Sequence, residues 1–105
     1  MRKDFPEEGE LVIGTVVDVK PYGAFVQLLE YPNREGMIHI SEVSSGWVKN
    51  IRDHVKRGQR VVAKVMRVDK KKGHIDLSLK RVTEQQKKAK IQEWQRFQRA
   101  EKLLQ

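Results

Sequence analysis

The apolar positions of this chain alternate in five short runs and then switch to helical spacing near the end. Leu11 to Val19 is rich in Val and Ile and predicts a long first strand. Lys20-Pro21-Tyr22-Gly23 predicts a turn, because Pro21 cannot extend a ladder and Gly23 permits a tight backbone. Ala24 to Leu29 predicts a second strand with Ala24, Val26 and Leu28 on one face and Phe25 and Gln27 on the other. Tyr31 to Gly36 predicts a polar loop. Gly36 to Ile40 predicts a third strand, with Ile38 and Ile40 inward and Met37 and His39 outward. In a fourth strand, Arg60 to Asp69, Val61, Ala63 and Val65 alternate and the apolar set resumes at Val68. That slip in parity predicts a bulge or strong coiling. Lys70-Lys71-Lys72-Gly73 predicts a basic hairpin, after which Ile75, Leu77 and Leu79 alternate with Asp76, Ser78 and Lys80 in a fifth strand.

Between the third and fourth strands, Val43, Trp47, Val48, Ile51 and Val55 recur at spacings near three and four. This predicts one or two helical turns, interrupted at Gly46 and stopped at Gly58, with Trp47 anchoring the segment to the core. Five short strands with a helical insertion predict a mainly β fold, a closed five-stranded barrel of the OB type, since closure removes exposed edges. Without helical crossovers no parallel pairing is expected. At Thr83 the pattern changes. Thr83-Glu84-Gln85-Gln86 is a capping box, no Gly or Pro follows, and Ile91, Trp94, Phe97 and Leu104 mark one helical stripe. The chain thus divides into a barrel over 1–83 and a helix over 84–105. A lone helix of this length is marginal in water. It therefore packs on the barrel, pairs with another chain, or opens a domain that the sequence does not complete.

At 105 residues the chain is one domain with an appendage. Twenty-two Lys and Arg stand against 14 Asp and Glu, a formal charge of +8. Such a field favours polyanions, nucleic acid first. The alternative is a Lys- and Glu-rich surface serving stability at high temperature. With no cysteine, disulfides and thiolate metal sites are excluded. No leader and no membrane-spanning run is evident, so the expected location is cytoplasmic, with no membrane partner.

Tyr22, Phe25 and His39 fall on the side of their strands away from the aliphatic core. Together they form a candidate stacking platform for bases. The alternative is structural: Tyr22 closes the turn, Phe25 packs under the insertion, and His39 is satisfied locally. Lys64, Arg67, Lys70, Lys71, Lys72, Lys80 and Arg81 either neutralise phosphates or protect the hairpin from edge pairing. Asp69 is expected to order the hairpin and is also within a base-contacting pattern. Lys49, Arg52, Lys56 and Arg57 make the insertion basic. This opens a second function class, a regulatory module docking a kinase or ribosomal protein through Ser41–Gly58. His39, His54 and His74 lack metal-ligand spacing. Ser41 follows His39 without an orienting carboxylate, and no phosphate-cradling glycine motif occurs. Neither an enzyme nor a metal or other cofactor is expected.

Six stretches together resemble the S1 RNA-binding domain. They are Gly14-Thr15-Val16-Val17-Asp18-Val19, Tyr22-Gly23-Ala24-Phe25-Val26, Gly36-Met37-Ile38-His39-Ile40-Ser41-Glu42, Val61-Val62-Ala63-Lys64-Val65, Val68-Asp69 and Ile75-Asp76-Leu77-Ser78. The resemblance runs from about Gly9 to Val82 and implies an OB barrel that binds single-stranded RNA. Its RNA face carries over to Tyr22, Phe25 and His39, with Asp69 beside them. A basic residue common in the last hairpin falls at His74, with Lys72 or Lys80 as substitutes, and Lys64 completes the candidate RNA-binding set.

A narrower resemblance is to the alpha subunits of translation initiation factor 2, archaeal type. It rests on Ser41-Glu42-Val43-Ser44, the insertion through Ile51 and Gly58, the run from Val68 to Ser78, and Lys80-Arg81-Val82-Thr83. The tail resembles the first helix of that family's helical second domain. The resemblance implies an N-terminal fragment of a three-domain subunit. The parent heterotrimer delivers initiator methionyl-tRNA to the small ribosomal subunit, where mRNA or rRNA would be the RNA partner. The beta and gamma subunits and GTP would be reached only through domains absent here. In the eukaryotic form a regulatory serine precedes an arginine run. Here Ser44 is followed by Ser45-Gly46-Trp47, which argues against Ser44 as a functional site.

Overall fold

The computed structural model describes residues 4–104, and the side chains of 4–98. Five strands, β1 (Leu11–Lys20), β2 (Gly23–Leu28), β3 (Glu35–His39), β4 (Arg60–Asp69) and β5 (His74–Ser78), close a barrel in the order β1-β2-β3-β5-β4. The predicted strands are recovered to within a residue or two. The inward residues meet across the ladders: Val16 pairs with Val26, Ile38 with Leu77, and Val65 with Leu77. All five side chains are buried.

Two register breaks curve the sheet enough to close. One lies in β1 between Val16 and Asp18, and the other in β4 between Val65 and Arg67. The second is the parity slip visible in the sequence. Closure also corrects an expectation, because β3 and β5 pair in parallel, Met37 with Asp76 and Ile38 with Leu77. The chain reaches β5 through the insertion and β4 instead of a helical crossover, so the absence of crossover helices did not exclude the pairing. The close approach depends on Gly36. A Cβ there would lie 2.5 Å from Leu77 Cδ1.

The insertion holds two 3-10 turns, Ile40–Glu42 and Ile51–Asp53. Val43, Ile51 and Val55 join the core, but Trp47 does not: it is 85% exposed. Single 3-10 turns do not sustain the helical period that would keep Trp47 on the side of Val43 and Ile51. Instead the Ser44 hydroxyl accepts from Gly46 N (3.2 Å) and turns the chain outward. Tyr31 is a second correction. In a loop expected to be polar its ring is buried, and its hydroxyl donates to the Glu10 carboxylate. The phenol satisfies its polar tip while the ring fills the core.

The helix α1 (Glu84–Leu104) begins with the predicted capping box. Gln86 N donates to Thr83 Oγ1 (3.1 Å) and Thr83 N to Gln86 Oε1 (3.0 Å). Of the three placements open to the helix, its first half takes the barrel. The β1–β4 register sets Ile13 opposite Val62 on the outside of the barrel, where Ile91 and Trp94 share a crevice with them. Phe97 stacks on Trp94 with centroids 5.7 Å apart. The side chain of Leu104 lies outside the described residues. Beneath the helix, Lys90 Nζ meets Glu30 Oε2 at 2.6 Å, with both side chains 8% exposed. Glu30 Oε1 also accepts from Ile13 N at 3.3 Å.

Removing one partner of a buried pair takes from the other charge the contact that offsets its desolvation. We expect Lys90→Met to cost about 3 kcal/mol in urea unfolding. Trp94 emission should shift to the red, since Trp47 is already in water. A loss below about 1 kcal/mol would put the pair in the class of surface bridges.

Candidate nucleic-acid interface

Cross-strand neighbours share a face, so the register maps the outer surface directly. Phe25 faces Asp18 on β1 and Met37 on β3, Met37 faces Asp76 on β5, and Asp76 faces Arg67 on β4. These five residues form one row across the outside of the barrel. Tyr22, in the β1–β2 turn, sets its ring edge-on to Phe25, with centroids 6.3 Å apart and planes at 86°. Tyr22 is 51% exposed and Phe25 half-buried. An edge-to-face pair of this kind holds both rings in fixed orientation.

Gly23 stands between the rings for a steric reason. A Cβ there would lie 2.9 Å from Met37 Cε and 2.6 Å from Ile38 O, so glycine lets the Met37 thioether lie beside the aromatic pair. His39 pairs with Gly23 across the ladder and is exposed. Its Nδ1 accepts from Ser41 N (3.1 Å) and lies 2.8 Å from Ser41 Oγ. The backbone donor makes Nδ1 an acceptor, so in the neutral ring Nε2 carries the proton.

The other predicted residues divide. Asp69 pairs with His74, one step along from Arg67 and Asp76 on the same outer face. Asp69 Oδ1 also accepts from Lys72 N (3.2 Å) and orders the hairpin, as expected. Lys72 is exposed in that hairpin. Lys64 pairs with Ser78, two residues beyond Asp76 on β5. Lys80 does not join the face freely, because its Nζ lies 3.8 Å from Glu42 Oε2. Met37 joins the face although the sequence assigns it no role, and Arg67, one of the candidate phosphate contacts, takes a defined place in the row. The signal for Arg67 was present: the slip before Val68 reverses the parity of the strand's end and turns Arg67 outward.

Glu42 ties the insertion to the end of β5. Its carbonyl accepts from Leu79 N (2.9 Å) and Lys80 N (3.1 Å), and its carboxylate meets Arg81 Nε at 3.1 Å. The neighbouring Ser78 hydroxyl and the Arg81 and Lys80 cations hold this carboxyl below the usual glutamate range, against the opposing effect of burial. Ser78 Oγ reaches no partner at full hydrogen-bond geometry, so the Arg81 contact is the firmer of the two. Among the described residues no three His, Asp or Glu gather as metal ligands, and no helix is long and apolar enough to cross a membrane.

A closed five-stranded barrel with rings and cations gathered on one outer face defines a nucleic-acid-binding barrel of the OB class. Residues 6–80 match the family described as S1 RNA binding domain, and the chain belongs to that family. Over nearly its whole length it is similar to archaeal translation initiation factor 2 alpha subunits, matching their S1 portion. It is 83% identical over 104 residues to translation initiation factor 2 subunit alpha of Methanocaldococcus jannaschii, covering 99% of this chain and 39% of that relative. The intact alpha subunit of aIF2 from Pyrococcus abyssi superposes with a TM-score of 0.95 at 62% identity, covering 98% of this chain and 40% of that one. The a/eIF2alpha of Pyrococcus horikoshii, solved in complex with aDim2p and rRNA, superposes with a TM-score of 0.91 at 64% identity. It covers 95% of this chain and 60% of that chain. This chain therefore spans about two-fifths of the length of the curated relatives it matches. Both levels of resemblance read from the sequence are borne out.

The lowered folded-state value at Glu42 has a definite sign. Its stabilising contribution is present above the unfolded value, near 4.5, and is lost as pH falls through the lower folded value. Glu42→Gln should therefore cost stability at pH 7, by under about 1 kcal/mol for so exposed a network. The gap should narrow as pH falls below the ordinary glutamate value of 4.5. Urea titrations at pH 7 and in acid read this, and a gap that does not narrow as pH falls contradicts it.

Proposed function

We propose that this chain binds single-stranded RNA on the outer face built from Tyr22, Phe25, Met37 and His39, with Arg67, Lys64 and Lys72 supplying positive charge beside it and His74 paired with Asp69 on the same face. The observation that carries this reading is the edge-to-face pair of Tyr22 and Phe25, held partly in solvent on a basic protein. Exposed rings with fixed orientation accept any base by its π-face, and the surrounding cations meet the phosphates. The rRNA in the complex of the P. horikoshii relative agrees with an RNA partner. Lys80, engaged by Glu42, has a lesser part.

In the whole protein this S1 portion would act in the cytoplasm. There it would meet mRNA or rRNA on the small ribosomal subunit, within the complex that delivers initiator methionyl-tRNA. Contact with the beta and gamma subunits would run through regions outside this chain. The helix α1 would be the first helix of a second, helical domain.

A second reading is favoured by one observation. Trp47, exposed on the basic insertion, suits protein docking through Ser41–Gly58, to a kinase or a ribosomal protein. Trp47→Ala separates the two, since it should weaken a protein partner and leave RNA affinity intact.

The principal test is titration with a short single-stranded RNA. Phe25→Ala should cost about 1–3 kcal/mol of binding, and His39→Ala a smaller amount. The slope of log affinity against log salt should not change, because neither side chain neutralises a phosphate. Undiminished affinity in both variants would falsify the platform.

A further inference from the structure

On the far side of Phe25 from Arg67 the outer row ends at Asp18, and beyond Asp18 the surface sinks into a cavity of about 390 Å³. Arg52, Lys56 and Arg57 line it together with Asp18, Val19 and Val55. Among the described residues none of the three cations pairs with a carboxylate. The one acid in the lining is already engaged: Asp18 Oδ1 accepts from Val19 N (2.9 Å), and Asp18 Oδ2 meets Lys20 Nζ at 3.4 Å. The cavity is therefore a basic one with its single carboxylate counterbalanced by a fourth cation.

Its cations are also held in place. Arg52 Nη2 donates to Val19 O at 3.3 Å, which fixes the guanidinium against the end of β1. The turn that carries Lys56 and Arg57 is clamped to the same strand. Val16 N donates to Gln59 O (2.8 Å) and Gly58 N to Val16 O (2.7 Å), while Gln59 Oε1 accepts from Lys56 N (3.0 Å). Gly58 allows this with a φ of +90°, a conformation side chains rarely adopt. Three like charges converge on one hollow at a cost in mutual repulsion, and they do so beside the strand that faces Phe25. Strands are spaced by about 4.8 Å, so the hollow begins about one strand-width from the ring.

We infer that this cavity is a phosphate-binding cleft for the RNA backbone. It takes the phosphate flanking a base stacked on Phe25, so that the strand is gripped on both sides of the platform, by Arg67 on β4 and by Arg52, Lys56 and Arg57 here. The inference rests on the RNA-binding face proposed above. It also assigns RNA contact to part of the insertion otherwise read as a protein-docking element. All three are exposed; Arg52 is the one whose side chain is positioned by a hydrogen bond, and Lys56 and Arg57 are carried on the clamped turn.

The test uses this chain and a single-stranded RNA titrated across a range of salt concentrations. For single strands the slope of log affinity against log salt is about −0.7 per phosphate neutralised. K56Q/R57Q should therefore flatten the slope by about 0.7 to 1.4 and lower affinity at low salt. The control K88Q/R96Q removes the same charge from exposed positions on α1 and should leave the slope unchanged. In parallel, the Arg52 Nε–Hε resonance should shift on RNA addition. An unchanged slope in K56Q/R57Q with a normal loss in Phe25→Ala overturns the cleft and leaves the platform standing. A slope that flattens equally in the control also overturns it, since the effect is then the general field. A flattened slope in K56Q/R57Q alone supports the cleft, and Phe25→Ala independently reports on the platform.

Discussion

Closing five short strands into a ring is the constraint on which the other features depend. The seam is the parallel contact of β3 with β5, where only two residue pairs are in register. Backbone polar groups at a sheet edge must find partners, and a seam this short succeeds only if the strands approach closely. Gly36 removes the one Cβ that would hold β3 off Leu77. Once the seam is made, Ile38 and Leu77 face the core and Met37 and Asp76 face outward together. The candidate RNA face is a consequence of that closure. Without the β3–β5 pairing, Met37 and Asp76 would lie on opposite edge strands of an open sheet.

The two register breaks serve the same end. A strict alternation through β4 would send Arg67 inward after Val65, burying an unpaired guanidinium at a large cost. The break at Met66 keeps Val65 in the core and puts Arg67 opposite Asp76 on the outside. In β1 the break at Val17 does the equivalent, with Val16 packed on Val26 and Asp18 set opposite Phe25. The curvature needed to close the barrel and the placement of charge on its face therefore come from the same two residues. The helix is fastened differently, on the outside of β1 and β4, through Ile13, Val62 and the buried Lys90–Glu30 pair. It covers the apolar outer patch on the side of the barrel away from β2 and β3, leaving the ring-bearing strands open.

Much of this was legible in the chain, because alternation and turn residues are local signals. The five strands, the β4 bulge, the capping box at Thr83 and the ring positions all follow from spacing. What could not be read is whatever depends on partners distant in sequence. Lys90 and Glu30 are sixty residues apart, and neither carries a local mark of burial. Tyr31 looked like loop because its neighbours are polar, yet its ring finds the core and its hydroxyl finds Glu10. Trp47 looked like an anchor because its spacing from Val43 and Ile51 is nearly helical. Two isolated 3-10 turns break that period. Lys80 reads in the sequence as a phosphate contact, but Glu42, brought close by its carbonyl's bonds to Leu79 and Lys80, engages it.

The face also has a charge order that its net basicity conceals. Along the central row the sequence is Asp18, Phe25, Met37, Asp76, Arg67, so two carboxylates lie between or beside the apolar groups. A carboxylate next to a ring repels a phosphate but can accept from a base's amino group. Positive charge stands at the ends of the row, at Arg67 and the β4–β5 hairpin on one side and around Arg52, Lys56 and Arg57 on the other. On the proposed RNA face, bases over the middle and phosphates over the ends is the polarity that satisfies both signs. A uniformly basic patch would hold a strand in any orientation, whereas this charge order would turn its bases toward the barrel.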